Sequence, residues 1–229
     1  MFHYVKDQSL TSQQHKCCKL HQHDRGASKL PKVTFYNLSE DKKRILIDAA
    51  KKEFSRVPLS DASISNIIKS ADIPRGSFYQ YFEDKEDAFF YLLGEFSKEK
   101  KKDFIIILEQ HEGDLFEGFI GVFDVMIKEE ENLSFFKNAF LNMTHKIETS
   151  FEKMISDTEI NENLKALSFL VNKTNLNISN DKELFHVLQI LFAVTFRNLI
   201  RTFAGELSYQ EAMDNYMMEI NLLKRGLFR

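Results

Sequence analysis

The sequence has little cysteine, proline or glycine and no tryptophan. Its 229 residues include two cysteines, three prolines and eight glycines. Cys17 and Cys18 are adjacent in a polar segment, which rules out a disulfide framework and fits a reducing cytoplasm. Because prolines, glycines and runs of alternating β-branched residues are all scarce, the composition predicts an all-α protein.

Long apolar segments are missing as well. No stretch approaches the ~18 uninterrupted apolar residues that a membrane span needs. The N-terminus also lacks the apolar core of a secretory signal. The sequence therefore predicts a cytoplasmic protein that has no membrane partner.

Catalytic motifs are not found either. The sequence contains no glycine-rich phosphate loop, no Gly-x-Ser-x-Gly elbow, no His-Glu-x-x-His helix and no cysteine nucleophile in the part expected to fold. His111, His145 and His186 are far apart in sequence, and each is better explained as a surface or hydrogen-bonded histidine than as a ligand or base. We therefore expect that the protein is not an enzyme and uses no cofactor or metal.

The formal net charge of −3 is unevenly distributed. Residues 1–38 carry a net charge of +4, residues 39–95 carry −2 and residues 96–229 carry −5. A general basic surface therefore gives no argument for nucleic-acid binding, which has to depend on particular residues.

Residues 1–37 are rich in Lys, His, Gln and Ser and lack helical periodicity, so we predict a mobile basic tail. The stretch from His15 to His23 contains both cysteines, and thiolates and imidazoles are zinc ligands. Its spacing matches no standard zinc module, however, and adjacent cysteines chelate one ion poorly. A disordered tract is therefore favoured over a metal site, and its positive charge is suited to contact DNA phosphates.

Helical periodicity begins at Ser39. A serine followed by Glu40 and Asp41 is typical of a helix start, because serine caps the first turn and acids favour its dipole. Pro58 ends this helix, and Ser63 caps the next one. Apolar residues at helical spacing form the expected buried stripes: Ile45, Leu46, Ala49, Ala50 and Phe54 in the first helix, and Ile64, Ile67, Ile68 and Ala71 in the second.

A tight corner at Asp72-Ile73 leads into a third helix. Pro74 opens this helix at a position where its missing N–H is harmless, and Phe78 and Phe82 form its core face. Three short helices joined in this way form a helix-turn-helix unit, whose last helix enters the major groove of DNA. We therefore predict a DNA-binding domain over residues 38–84, with residues 74–82 as the recognition helix.

The order and spacing of these residues resemble the TetR family of transcriptional regulators. The family's third-helix segment follows the pattern Ala-Gly-Val-Ser-x-Gly-Thr-Leu-Tyr-x-(His/Tyr)-Phe, with a lysine a few residues later. Residues 71–82 here read Ala-Asp-Ile-Pro-Arg-Gly-Ser-Phe-Tyr-Gln-Tyr-Phe, and Lys85 follows. The resemblance covers residues 39–90. It implies a ligand-responsive regulator, usually a repressor, that binds a near-palindromic double-stranded DNA operator as a homodimer.

Residue types in this segment fit phosphate and base contacts. A glycine inside a short helix costs about 1 kcal/mol relative to alanine, so Gly76 indicates the close approach of a phosphate. The resemblance implies that Tyr79 and Lys85 bind phosphate, whereas Arg75 and Gln80 are suited to guanine and adenine edges. The predicted DNA-binding residues are Ser63, Ser65, Arg75, Gly76, Ser77, Tyr79, Gln80, Tyr81 and Lys85.

Two positions depart from the family pattern. Asp72 stands where the family has a corner glycine, and we expect the turn to survive because Asp tolerates a left-handed backbone. Pro74 stands where the family has a capping serine, which removes a hydroxyl and one candidate phosphate contact.

Residues 85–229 are predicted to form a helical domain that binds an effector and dimerises. We expect helices at residues 84–102, 103–111, 115–129, 132–141, 144–171, 181–204 and 208–226. The 181–204 helix is apolar on two faces, and apolar residues in the last helix alternate at spacings of four and three, which is typical of packed bundles. The resemblance implies a four-helix dimer interface, for which we predict Phe192, Phe196, Leu199, Tyr216, Ile220 and Leu223.

Phenylalanine is abundant in the middle helices. Such rings either fill a core that has no tryptophan or line an apolar pocket. Supported by the resemblance, we predict a pocket for a hydrophobic effector, lined by Phe116, Phe119, Phe123, Phe140 and Phe151. A competing hypothesis is a helical protein that binds hydrophobic molecules and has a vestigial helix-turn-helix. The joint presence of Arg75, Gly76, Tyr79 and Lys85 argues against it.

Overall fold

The computed structural model describes residues 31–142, 167–205 and 207–227, and the regular structure in these ranges is helical. The all-α prediction is therefore confirmed. Residues 167–170 are also helical. The other helices are α1 (Val33–Tyr36), α2 (Glu40–Arg56), α3 (Ile64–Ala71), α4 (Arg75–Tyr81), α5 (Lys85–Gln110), α6 (Leu115–Lys128), α7 (Glu130–Leu141), α8 (Asp181–Phe203) and α9 (Tyr209–Leu227).

Helices α2, α3 and α4 form the predicted three-helix unit. Most of the predicted apolar stripe of α2 is buried: Leu46, Ala49, Ala50 and Phe54. Ile45 is 48% exposed, so the stripe is one residue narrower than predicted. Phe78 and Phe82 are completely buried and hold α4 against the core. Burial of such rings contributes strongly to the free energy of folding. It therefore anchors α4, although this helix has only seven residues.

The folded part begins before Ser39, where the sequence placed its start. Residues 33–36 form α1, and the side chain of Phe35 is 1% exposed. The ring centroid of Phe35 lies 5.2 Å from that of Phe82 and 5.0 Å from that of Tyr91. Residues 31–37 therefore do not belong to a mobile tail. The rest of the predicted tail, residues 1–30, lies outside the described residues.

Helix α5 does not end near Lys102 as predicted but continues for 26 residues. Its buried residues lie on both sides of the predicted end: Leu92, Leu93 and Phe96 before it and Leu108 after it. Near the predicted end, Lys100 Nζ lies 3.1 Å from Asp103 Oδ2 and 2.6 Å from Glu129 Oε2. The charges therefore form ion pairs beside the helix, and α5 spans roughly 39 Å from the three-helix unit into the helical domain.

Helices α6 to α9 pack on one another, and α6 also packs on α5. Asp114 starts α6, because its carboxylate accepts hydrogen bonds from the N–H groups of Phe116 at 2.9 Å and Glu117 at 3.2 Å. Asn180 caps α8 in the same way by accepting from the Glu183 N–H at 3.0 Å. Most of the predicted 144–171 helix lies outside the described residues.

An aromatic chain connects the helical domain with the three-helix unit. Phe54 of α2 contacts Phe89 of α5, and Phe89 contacts Phe135 of α7, each with 5.4 Å between ring centroids. Helix α7 also packs directly against α2. The helical domain therefore contacts the three-helix unit through α7 as well as through the continuous helix α5.

Candidate nucleic-acid interface

The corner between α3 and α4 has the geometry of a helix-turn-helix. Asp72 adopts a left-handed conformation with φ 52° and ψ 46°, as its residue type predicted. Its N–H and that of Ile73 both donate to the carbonyl oxygen of Ile68. This pattern closes the end of α3. The chain then reverses within a few residues, and Pro74 directly precedes α4.

Helix α4 presents one polar face to solvent. Four predicted DNA-binding residues are exposed on it, at positions i, i+1, i+4 and i+5 of the helix: Arg75, Gly76, Tyr79 and Gln80. Ser77 is half-buried, and Tyr81 is half-buried against the hydrophobic core. Residues at this spacing lie side by side on a helix, so the face is available to one groove of DNA.

Gly76 has no packing role among the described residues. A Cβ atom added to Gly76 would meet no atom within 4 Å in the described part of the structure. Its backbone is ordinary helix, so the glycine is not required by a left-handed conformation. Space beside the exposed backbone is thus open to a molecule that approaches it closely.

The start of α3 is held by Glu53, a residue that the sequence analysis missed. Glu53 is 4% exposed, and its Oε1 accepts from the Ser63 N–H at 2.9 Å and from Asn66 Nδ2 at 3.0 Å. Two hydrogen bonds from the Arg56 guanidinium, at 2.8 and 3.0 Å, hold the pKa of Glu53 below its usual range. A signal was present, because Glu53 falls on the core face of α2, four residues after Ala49.

Glu53 also leaves the hydroxyl of Ser63 available. Ser63 occupies the predicted N-cap position, but its side chain makes no capping hydrogen bond. The backbone N–H of Ser63 is instead bound by the Glu53 carboxylate. Ser65, two residues further along the chain, is exposed. Both predicted serines are therefore at the surface end of α3, where an anion could reach them.

Lys85 holds the loop between α2 and α3. Its ammonium donates to the carbonyl oxygens of Ser60 at 2.6 Å and Ala62 at 3.1 Å. An ammonium has three N–H donors, so one remains for another acceptor after these two contacts. The structure thus gives Lys85 a positioning role beside its predicted phosphate contact.

The prediction of a dimer interface is wrong for three of its six residues. Leu199 is 4% exposed, and Tyr216 and Ile220 are fully buried inside a single chain, so they have no surface to offer a partner. The Tyr216 hydroxyl lies 2.6 Å from Thr195 Oγ1, and burial raises the pKa of its phenol. The apolar residues of α9 that are spaced four and three apart therefore pack against the rest of their own chain. The half-buried members of the predicted set are Phe192, Phe196 and Leu223.

The predicted pocket residues lie in two separate aromatic clusters. Phe123 on α6 packs on Tyr216, with 4.1 Å between centroids, whereas Phe140 on α7 packs on Phe203 of α8, with 5.7 Å between centroids. Phe116 is fully buried under Lys224. Phe119 is half-buried against Phe104, and Phe151 lies outside the described residues. The described rings thus act as core, and the pocket stays a prediction.

Helix α8 is apolar on more than the side that its own chain covers. By length and composition alone it could cross a membrane. It also carries polar contacts to α9, including Asn198 Nδ2 to Glu219 Oε2 at 2.7 Å and the contact between Thr195 and Tyr216. Ile190 remains 45% exposed. Helix α8 is therefore joined to α9 by polar contacts, and its outer side keeps an exposed apolar residue.

Two family models match this chain. Residues 46–92 match the model of bacterial regulatory proteins of the tetR family, and residues 114–227 match the model of the tetracyclin repressor-like C-terminal domain. The chain belongs to the TetR family. It is a TetR-family transcriptional regulator and not an enzyme, and DNA binding is implied by that membership.

One curated relative matches a part of this chain. The HTH-type transcriptional regulator YdgC of Bacillus subtilis (strain 168) is 41% identical over 63 residues, which are 28% of this chain and 32% of YdgC. The match therefore spans about a third of the length of that relative.

Solved structures match over most of both chains. A TetR-family transcriptional regulator from Pectobacterium atrosepticum is 16% identical with a TM-score of 0.60, over 82% of this chain and 95% of that one. NalD, the secondary repressor of the MexAB-OprM multidrug efflux pump in Pseudomonas aeruginosa, is 16% identical with a TM-score of 0.56, over 84% and 99%. At these identities the likeness establishes the fold.

Proposed function

We propose that the protein is a ligand-responsive repressor that binds a near-palindromic double-stranded DNA operator as a homodimer. The outer face of α4 carries this proposal, because Arg75, Tyr79 and Gln80 are exposed together beside Gly76, where an added Cβ atom meets none of the described residues. Arginine binds guanine and glutamine binds adenine through paired hydrogen bonds in the major groove. The backbone at Gly76 approaches a phosphate.

Phosphate contacts are proposed for the residues that frame this face. The hydroxyl of Ser63 makes no hydrogen bond among the described residues, and one N–H of Lys85 is left after its two loop contacts. Contacts of this kind fix the register of a protein on DNA without selecting a sequence. The proposed set is Ser63, Ser65, Ser77, Tyr79 and Lys85.

The two copies are proposed to meet through the outer faces of α8 and α9. Arg197 Nη1 lies 3.2 Å from Glu219 Oε1 on the line where these faces join. Ile190 lies seven residues before Arg197 and is 45% exposed, and Leu222 lies three residues after Glu219 and is 58% exposed. A two-fold dimer would place two copies of α4 about one DNA turn apart, ~34–36 Å, which calls for a near-palindromic operator.

The effector is proposed to be hydrophobic and to bind in the helical domain, residues 85–229. Phenylalanine is concentrated there, and Phe119 and Phe196 are covered only in part by their own chain. A ligand releases DNA only if it binds one spacing of the two recognition helices better than the other. An almost complete change of state needs about 5.5 kcal/mol of differential affinity, which is within the range of a buried apolar ligand. Repression is the role named for NalD, whose fold is similar.

Selection of random double-stranded DNA by the purified protein, followed by sequencing, tests the DNA-binding proposal. We expect one enriched near-palindromic motif. Arg75→Ala should relax the preference at one position of each half-site, at a cost of about 1–3 kcal/mol. Lys102→Ala, which removes an exposed charge from the middle of α5, should leave the motif unchanged. Absence of any enriched motif would favour the competing hypothesis of a vestigial helix-turn-helix.

A ligand screen tests the effector proposal separately. Fatty acids, acyl-CoAs, bile acids, aromatic drugs and small polar metabolites are compared for thermal stabilisation and for loss of binding to the selected DNA. We expect only hydrophobic compounds to score in both assays. Polar metabolites scoring alone would contradict the hydrophobic effector and leave DNA binding untouched.

A further inference from the structure

Three carbonyl oxygens at the C-terminal end of α4 are hydrogen-bonded by a segment that precedes the three-helix unit. The Lys32 ammonium donates to the Tyr79 carbonyl at 2.7 Å, the Thr34 hydroxyl donates to that of Gln80, and the Lys32 N–H donates to that of Tyr81 at 2.8 Å. Carbonyls in the last turn of a helix have no donor within the helix, so each needs water or an external group. Here one short segment supplies all three.

The same segment is fixed to the core by Phe35. Its ring is buried between Phe82, which ends α4, and Tyr91, which belongs to α5. Burial of a phenylalanine ring contributes strongly to the stability of a fold. The segment is therefore an anchored part of the domain, and its donors are held in place at the end of α4.

We propose that residues 31–36, termed here the N-terminal clamp, position the recognition helix for base contacts. A helix of seven residues is unstable on its own in water, and a cation at its C-terminal end interacts favourably with its dipole. The clamp holds the last turn, with Tyr79 and Gln80, in place before DNA binds. It thereby reduces the conformational entropy lost on binding. This inference rests on the proposed DNA binding.

A direct contact between Lys32 and a DNA phosphate is the alternative, and it has a different signature. Loss of a phosphate contact weakens binding to all sequences alike. It also lowers the salt slope, the steepness with which the logarithm of the binding constant falls with the logarithm of salt concentration, by about one. Loss of the clamp leaves the salt slope unchanged. It reduces discrimination between the selected DNA and a base-substituted DNA, because Gln80, which is proposed to bind a base, lies in the last turn. Tyr79 beside it is proposed to bind phosphate through a neutral hydroxyl, so loss of that contact does not change the salt slope.

The test uses full-length variants. Lys32→Ala/Thr34→Ala removes both side-chain donors, whereas Lys32→Arg/Thr34→Ser keeps a donor at each position. Lys52→Ala removes an exposed positive charge from α2 and serves as the charge control. In the DNA-free protein, we expect the double alanine variant to exchange the amide protons of residues 79–82 about tenfold faster, and the conservative variant to behave as wild type.

Binding is then measured on the selected DNA. We expect the double alanine variant to lose about tenfold in discrimination, with its salt slope unchanged, and both other variants to discriminate as wild type. Unchanged amide exchange would overturn the proposal, and so would a salt slope lowered by about one with discrimination intact. If the double variant fails to fold, Thr34→Val carries the exchange test, because it removes only the hydroxyl. A wild-type protein that selects no DNA would contradict the proposed function, while amide exchange would still decide whether the clamp holds α4.

Discussion

The side-chain amide of Asn138 donates a hydrogen bond of 3.0 Å to the carbonyl oxygen of Phe54 and joins α7 to the last turn of α2. The same nitrogen lies 2.9 Å from the carbonyl oxygen of Ser55. Neither carbonyl has a donor within α2, because both belong to its final turn. The helical domain therefore caps α2, the first helix of the DNA-binding domain. A displacement of α7 would act directly on α2 through these hydrogen bonds.

Replacing Asn138 by Ala should remove this cap. We expect the free energy of unfolding to fall by about 1–3 kcal/mol, because two half-buried carbonyls lose their donor. The calorimetric transition should also broaden or divide, as the three-helix unit becomes less coupled to the helical domain. Asn142→Ala is the matched control, since among the described residues the exposed Asn142 amide bonds only to the Asn138 carbonyl, at 3.2 Å. Equal effects of the two substitutions would refute a special role for Asn138.

The lowered pKa of Glu53 predicts how the free energy of unfolding depends on pH. The Arg56 guanidinium, and with it Ser63 and Asn66, lowers the pKa of the folded carboxyl below its unfolded value, and burial opposes this only in part. A group of this kind stabilises the fold at pH values above its unfolded pKa, near 4.3, and that stabilisation is lost as the pH falls through the folded pKa. Denaturant titrations between pH 3 and pH 7 should therefore show a loss of stability on acidification that Glu53→Gln largely lacks.

The control for this prediction is Glu40→Gln. Glu40 is 89% exposed in its side chain and pairs with Lys43 at the surface. Surface pairs contribute little, so this variant should follow the wild-type curve. If stability fell with pH in the same way in wild type and in Glu53→Gln, the lowered pKa of Glu53 would not be the cause of the acid sensitivity.

Lys85 is expected to affect both stability and DNA binding. Lys85→Ala leaves the carbonyls of Ser60 and Ala62 without their donor, and we expect a loss of about 1–2 kcal/mol in the free energy of unfolding. Its affinity for the selected DNA should fall for all sequences alike, with a salt slope lower by about one. A loss of stability with an unchanged salt slope would show that Lys85 holds the loop and contacts no phosphate.

Local chemistry made the recognition unit predictable from sequence. The corner depends on one residue, Asp72, whose type tolerates the left-handed backbone that the structure has. Pro74 marks the start of α4, and apolar residues four apart give the core faces of α3 and α4. Each of these signals lies within a few residues of the feature that it determines, so no knowledge of tertiary contacts was needed.

Features that depend on distant partners were not predictable. Phe35 gives α1 its stability by packing on residues far along the chain, and no periodicity marks so short a helix. The stripe containing Tyr216 and Ile220 shows that one side of α9 is buried, but spacing alone does not tell whether the same chain or a second copy covers it. The continuation of α5 past Lys102 was missed, and Lys100 at this point pairs with Glu129, which belongs to a later connection.

The position of the dimer interface can be tested by placing a charge on either side of α9. Leu222→Asp changes the outer face, where the side chain is 58% exposed, and leaves the buried seam intact. We expect a folded protein with wild-type helicity that sediments as a monomer at micromolar concentration. Its affinity for the selected DNA should fall strongly, because the two half-sites are no longer bound by one molecule.

Ile220→Asp provides the contrast on the buried side. Ile220 is completely buried in its own chain, so an aspartate there has no partner and should unfold the helical domain rather than simply separate two folded subunits. Ile106→Asp, at a 51% exposed position of α5, controls for the added charge and should stay dimeric. A dimer that survives Leu222→Asp would exclude the outer face of α9 from the interface. A wild-type protein that is monomeric at micromolar concentration would refute the homodimer itself.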